Sequence, residues 1–354
     1  MKHLQPLNPS GLSFNHIIAT GGIGAGIFFS LKDNHTLGRN ESRMATLLLY
    51  KDFCKQHIIM HYISVLLGAG KEGGFQSFPI GKVGNDETGR SLIEKIRLAG
   101  MNSAAVTIAE GVATLFSVCF QYPDKTGGNI TTDNSASNKV SPEDIDRFFQ
   151  TFDLNTGKEI ILAVPEVPIT TRMRLLEFGR QRGSLNIASI LSAEIDSFKT
   201  QKGFHLTDIV FVNIDEAGHI GNTDPDSPST DIVNNCINVL KDLNPAISAV
   251  ITNGSDGSYC YTNSRLFHTP AIKVNALSTA GAGDAFLAGT LTGLCCGLSL
   301  INAVGLGTLL AAFSVTSADT IHPDANAEAL YDFALRTAPD HAHAFTRLFN
   351  PNGA

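Results

Sequence analysis

The sequence predicts a single α/β domain of three layers, a mostly parallel sheet with helices on both faces, carrying a small β lid. Short apolar runs alternate with longer helical patterns through most of the 354 residues, the signature of strand–helix–strand units whose sheet is covered on both sides. The composition, 43% hydrophobic and 17% charged, supplies enough apolar surface for a real core and lies far from that of disordered chains. The lid is read from segments 26–43 and 111–132, which break the rhythm. They are rich in Gly, Asn and Thr and hold short β-like runs at Ile27–Leu31 and Val112–Tyr122.

In chain order, the apolar runs Ile17–Thr20, Ile58–Leu67, Phe78–Gly81, Ile160–Val164, Ser184–Ile190, Ile209–Val212 and Ala249–Thr252 read as strands. Helices are expected at Asp86–Ala99, opened by acidic residues and closed by Gly100, and at Thr170–Gln181. Ser255-Asp256-Gly257 lies between two alternating runs and predicts a hairpin, because Asp-Gly accepts the positive φ angles of a tight turn. Ala285–Ala318 runs 34 residues without a charge. Gly289, Gly293, Gly297, Gly305, Gly307 and Asn302 interrupt it, so neither half reaches the roughly 20 apolar residues of a membrane span. Two buried helices are expected there instead, and the tail 339–354 is expected to be peripheral.

The net charge of −7 argues against a nucleic-acid or anionic-membrane footprint, since both need clustered Lys and Arg. A small-molecule ligand is the expectation. Six cysteines, Cys54, Cys119, Cys236, Cys260, Cys295 and Cys296, show no C-x-x-C spacing and read as reduced core thiols. Met1–Ser13 lacks the apolar run of a secretory signal, so a cytoplasmic location is expected. His57 and His61 stand four apart, but the strand read through them argues against a metal pair. Gly21-Gly22-Ile23-Gly24-Ala25-Gly26 follows a strand as a dinucleotide loop would. Its third glycine would fall at Ile27, and a turn at Asp33-Asn34 precedes any helix.

The strongest chemical signal is Ser278-Thr279-Ala280-Gly281-Ala282-Gly283-Asp284, followed at once by the apolar helix. Glycines at a helix start let the backbone press close to a ligand with its N–H groups outward, a nest that binds phosphate oxygens. Asp284 in that first turn is placed to take a proton from an attacking hydroxyl. The same residues also read as a plain helix start in which Asp284 complements the dipole. Three further blocks accompany it: Gly81-Lys82-Val83-Gly84-Asn85-Asp86-Glu87-Thr88-Gly89, Asn213-Ile214-Asp215-Glu216 and Thr252-Asn253-Gly254. Asp86 alone also reads as a helix cap, and Asn213 with Glu216 as a capping box.

In this order, over about residues 81–334, the blocks resemble those of the ribokinase-like (PfkB) carbohydrate kinases. The resemblance implies ATP-dependent phosphoryl transfer to a hydroxyl of a sugar or sugar-like molecule, with a nucleoside kinase or a non-catalytic sensor as the alternatives. It implies Asp284 as the base and the amides of Ala280, Gly281, Ala282 and Gly283 as an anion hole. Ala280, Asn213, Thr252 and Gly254 would meet the nucleotide, Glu216 would serve Mg²⁺ through its waters, and Gly81 would lie near the acceptor. The chain departs from the family at Gly26, where an acceptor-binding Asp is usual. Gly38–Arg43 replaces the usual Gly-Gly-x-x-x-Asn segment, which makes Arg39 and Asn40 candidate acceptor contacts. Ser278 replaces the Asp beside Thr279, which argues against monovalent-cation dependence. A homodimer through the lid is a further expectation.

Overall fold

The computed structural model describes residues 11–71, 74–124, 126–152, 154, 158–340, 345 and 348. Among them the strands are β1 (His16–Thr20), β2 (Gly24–Ser30), β3 (Thr46–Phe53), β4 (Gln76–Gly84), β5 (Val106–Ala109), β6 (Leu115–Gln121), β7 (Gly127–Thr131), β8 (Glu159–Ala163), β9 (Leu185–Ser189), β10 (Ile209–Asn213), β11 (Ser248–Thr252), β12 (Ser258–Thr262) and β13 (Arg265–Thr269). The helices are α1 (Lys55–Leu67), α2 (Glu87–Leu98), α3 (Pro142–Thr151), α4 (Ile169–Arg182), α5 (Ile195–Thr200), α6 (Gly203–Leu206), α7 (Ile214–Gly221), α8 (Ser229–Leu243), α9 (Ala282–Cys295), α10 (Leu300–Ser314) and α11 (Ala327–Thr337).

The main sheet runs β13-β12-β11-β10-β9-β8-β1-β4-β5, parallel from β11 to β5 and antiparallel at β12 and β13. Its central strands are buried on both faces, which is why they read as continuous apolar runs. Alternate residues feed two cores. Ile17, Ala19, Ile160 and Leu162 pack with α1, α2, α9, α10 and α11, whereas Ile18, Ile161 and Ala163 pack with α3 to α8. The three layers predicted from the sequence are therefore present. The apolar stretch after Asp284 forms the buried pair α9 and α10, and among the described residues no helix is long and apolar enough to cross a membrane.

The segment 58–67 is a correction. It is not a strand but most of α1, a helix that buries ten of its 13 residues. Such a helix shows no polar stripe, so its 3.6-residue period is invisible in the sequence. His57 and His61 are therefore one turn apart, with stacked rings 6.2 Å between centroids. Burial pushes their pKa values down, to about 3 for His57 and about 4 for His61. Among the described residues no cluster of three or more metal-binding side chains surrounds them. The 255–257 hairpin exists, but a 3-10 turn at Gly254–Asp256 and Gly257 at φ 98° replace the two-residue turn. Of the tail, most lies outside the described residues; Phe345 and Leu348 are buried.

A second sheet, β3-β2-β6-β7, forms the lid. The first predicted lid segment proves too short, because β3 lies beyond residue 43. A register shift between Gly26 and Phe28 breaks the β2–β3 alternation that would have marked it. Across three strands, Asp52, Gly26 and Ser117 stand in one row, with Asp52 and Ser117 buried. The opposite face carries Leu47, Phe29 and Phe120 in another row, with Leu47, Leu49 and Ile130 exposed.

Candidate active site

The glycine-rich turn opens α9 as the residue pattern requires. Gly281 adopts the left-handed conformation at φ 76°, and a Cβ there would come within 2.9 Å of the Thr320 carbonyl oxygen. A Cβ at Gly283 would meet nothing within 4 Å, so the turn faces open space. Two of the amides assigned to the anion hole are partly engaged: Ala282 N–H donates to Thr279 O at 3.2 Å and Ala280 N–H to Ser278 Oγ at 3.3 Å. The helix geometry leaves the amides of Gly283 and Asp284 as the free donors of the first turn.

Asp284 is not alone. Lys55 Nζ, from the first residue of α1, lies 3.6 Å from Asp284 Oδ1. The Lys55 backbone N–H donates to Glu166 Oε2 at 3.3 Å. Glu166 follows β8 with φ at 75°, a strained backbone for a side chain with a Cβ and one often found at functional sites. A Cβ at Gly22 would overlap the Glu166 carboxylate, and one at Gly26 would overlap the Asp52 carboxylate and the Ser117 hydroxyl. The glycine run after β1 thus clears room for converging acids rather than for a dinucleotide.

The electrostatics match this convergence. Burial pushes the Asp284 carboxyl above its ordinary range and the Lys55 ammonium pulls it back. Asp284 is in turn the main cause holding the Lys55 pKa up. Burial raises Glu166 to about 7, and raises Glu216 and Asp52 as well. The charge of Asp284 adds to all three shifts, so Asp52, Glu166, Glu216 and Lys55 all feel Asp284.

On the neighbouring strand ends, Asn213 of β10 pairs in register with Thr252 of β11. Asn213 and Glu216 form a complete capping box, with Glu216 N–H to Asn213 Oδ1 and Asn213 N–H to Glu216 Oε2 both at 2.8 Å. One Glu216 oxygen closes that cap, and the carboxylate still feels Lys55 and Asp284. Gly254 starts the next turn at φ 51°, with open space where a Cβ would stand. A Mg²⁺ ion retains most of its waters and takes one or two carboxylates plus phosphates, and the Glu216 oxygen that the cap does not use fits such a ligand.

Among the described residues no hydrogen bond or ion pair joins the other candidate residues to Asp284 or Lys55. Asp86 caps α2 fully, accepting from Gly89 N–H and Thr114 N–H at 2.7 Å. Gly81 is buried in β4, where its missing side chain admits Ile23. Arg39 and Asn40 are exposed on the loop between β2 and β3, and no contact around Asp284 involves them. Arg43 is held by Asp33, Glu41 and the His35 carbonyl. A surface cleft of about 590 Å³ lined by Gly111, Val112, Ala113, Asp133, Asn134, Asn138 and Lys139 shares no residue with the Asp284 group.

Sequence reading missed Asp52, Lys55 and Glu166. Lys55 and Asp52 border the segment misread as a strand. Glu166 carried a usable signal, an acid just past the carboxyl end of a central parallel strand, where such sheets bind ligands.

Three comparisons bear on this geometry. The pfkB family carbohydrate kinase model matches residues 64–327. The deoxyribokinase of Salmonella typhi is 27% identical over 252 residues, covering 68% of this chain and 75% of the relative. The ribokinase of Cryptococcus neoformans var. grubii serotype A, solved in complex with ADP, superimposes with a TM-score of 0.73 at 18% identity, covering 91% of this chain and 99% of the other. A ribokinase-like protein from E. coli in complex with ATP and Mg²⁺ gives a TM-score of 0.70 at 16% identity, over 91% and 100% of the two chains. The fold has the ribokinase-like architecture, and the chain belongs to the PfkB family of carbohydrate kinases.

Proposed function

We propose that the chain transfers the γ-phosphoryl group of ATP to a hydroxyl of a neutral sugar or sugar-like molecule, with Asp284 as general base. One observation carries the proposal: a half-buried carboxylate, paired with Lys55 at 3.6 Å, stands in the first turn of α9 beside amides that face open space. The free amides and the helix dipole hold phosphate oxygens, and Asp284 takes the hydroxyl proton as the acceptor attacks in line. Mg²⁺, held through Glu216 and water, supplies charge neutralisation on the phosphates when bound. Thr252, Gly254 and Asn213 border the nucleotide side of the turn, and the lid keeps water from competing for the phosphoryl group.

Charge supports a neutral acceptor over a sugar phosphate. Asp52, Glu166, Glu216 and Lys55 all feel the charge of Asp284, so four acids face one cation, and Arg43 is already committed to Asp33 and Glu41. An added phosphate on the acceptor would meet net repulsion. Ser278 presents a hydroxyl rather than a carboxylate beside Thr279, which supports catalysis without a monovalent cation. The exposed apolar face of Leu47, Leu49 and Ile130 supports a homodimer in which two lids cover each other, a state that sedimentation would report.

ATP consumption measured against D-ribose, 2-deoxy-D-ribose, D-fructose, their phosphates and ribonucleosides tests the proposal. Turnover with a neutral member, abolished in Asp284→Asn with ADP affinity retained, is expected. Turnover confined to phosphorylated members, or an active Asp284→Asn variant, refutes it.

A further inference from the structure

We infer that Asp52 is a specificity-determining residue that holds a hydroxyl of the acceptor from the inner face of the lid. The inference rests on the kinase reading above and names one of its acceptor contacts. Asp52 stands in the buried row with Gly26 and Ser117, 7% exposed. Its Oδ2 accepts from the Ser117 hydroxyl at 2.8 Å and from the Cys119 thiol at 3.4 Å. Among the described residues no Lys, Arg or His lies within ion-pair distance of it. Neutral donors alone, the Ser117 hydroxyl, the Cys119 thiol and the Phe53 amide, are a poor return for burying a carboxylate, so packing of the lid does not explain an acid here.

The surroundings point to what completes it. Gly26 has no side chain, and any Cβ there would displace the Asp52 carboxylate, so this glycine admits the acid. The chain on either side of Asp52 is anchored at the phosphate turn. Phe53 N–H donates to Thr320 Oγ1 at 3.1 Å, Thr320 N–H donates to Lys51 O at 3.1 Å, and the Thr320 carbonyl abuts Gly281. Three residues further on, Lys55 reaches Asp284. The charge of Asp284 raises the cost of ionising Asp52, and the charge of Asp52 raises that of ionising Glu166, as expected for carboxylates gathered around the segment that Thr320 anchors. The missing donor is a ligand hydroxyl on a molecule with at least one hydroxyl besides the one phosphorylated. A site that hydrogen-bonds a hydroxyl in this way rejects the analogue that lacks it far more strongly than an apolar pocket rejects a missing methylene.

Asp52→Asn preserves shape and removes the charge. With the neutral acceptor that the unaltered chain phosphorylates fastest among D-ribose, 2-deoxy-D-ribose, D-fructose and the ribonucleosides, the acceptor KM is expected to rise about 10- to 100-fold. ADP affinity by calorimetry is expected to stay within about twofold, because the amide turn and Glu216 are untouched. Ser117→Ala, which removes a lid bond and keeps the carboxylate, is expected to shift the acceptor KM less than Asp52→Asn. An unchanged KM in Asp52→Asn, an equal shift in Ser117→Ala, or loss of ADP binding overturns the role of Asp52 while the kinase reading stands. Failure of the unaltered chain to phosphorylate any neutral member of the panel, sugar or ribonucleoside, overturns both.

Discussion

Replacing Lys55 with Met tests the electrostatic core of the site, because Met keeps most of the stem and deletes the charge. A cation 3.6 Å from Asp284 Oδ1 favours the ionised carboxylate by about 1 kcal/mol in bulk water and by about 4–5 kcal/mol at an effective dielectric of about 20. The Asp284 side chain is 15% exposed and that of Lys55 33%, so solvent screens the pair and the lower half of that range applies. At about 1.4 kcal/mol per unit, the change is about 1 to 2 pH units. The sign follows directly. Burial already raises the Asp284 pKa and Lys55 opposes that rise, so removing Lys55 sends it higher. A base must be ionised to work, and the acidic limb of kcat/KM therefore moves to higher pH in Lys55→Met. Glu166, raised to about 7 by burial and also held down by Lys55, shifts the same way. The assay is kcat/KM for the acceptor from pH 5 to 9 at saturating ATP and Mg²⁺. A lowered plateau with the acidic limb unmoved would show that Lys55 acts on the phosphoryl group and not on the base.

Other outcomes follow from single contacts. Asp284→Asn is expected to lower kcat by about 10²- to 10⁴-fold, with ADP affinity by calorimetry little changed; a smaller loss removes the proton-transfer role. Glu216→Gln keeps one oxygen for the α7 cap and should raise the Mg²⁺ concentration for half-maximal rate several-fold, while a superimposable metal titration would leave only the cap. Arg182→Ala strips the 2.6 Å partner from the fully buried Glu159 and is expected to cost about 3–5 kcal/mol in urea denaturation. A loss under about 1 kcal/mol would mean that Ser184, 2.9 Å from the same oxygen, satisfies that carboxylate alone.

What the sequence disclosed depended on how local each feature is. β1, β8 and β10 were legible because strands covered on both faces are unbroken apolar runs between turn residues. α1 was not, because a helix buried nearly all round loses its period, and β3 was not, because its outward side chains are exposed and its register slips. The turn before α9 could be read from seven consecutive residues. Asp52, Lys55 and Glu166 meet only through tertiary structure. Pairing of β1 with β8 brings Glu166 beside Gly22, and pairing of β2 with β3 brings Asp52 beside Gly26. No spacing in the chain announces such neighbours. The glycines at 22 and 26 were visible, but their purpose, clearance for carboxylates, is a property of the strands lying against them.

Thr320 touches both halves of the catalytic apparatus: its amide and hydroxyl grip the end of β3, and its carbonyl backs Gly281. The cover and the cradle are consequently geared to a single tooth. On the proposed reading, a sugar that drew the cover down would also tighten the cradle, and the donor would be gripped firmly only when something was present to receive its phosphate. Thrift with ATP in the absence of sugar would then be a matter of leverage rather than of any separate inhibitory part.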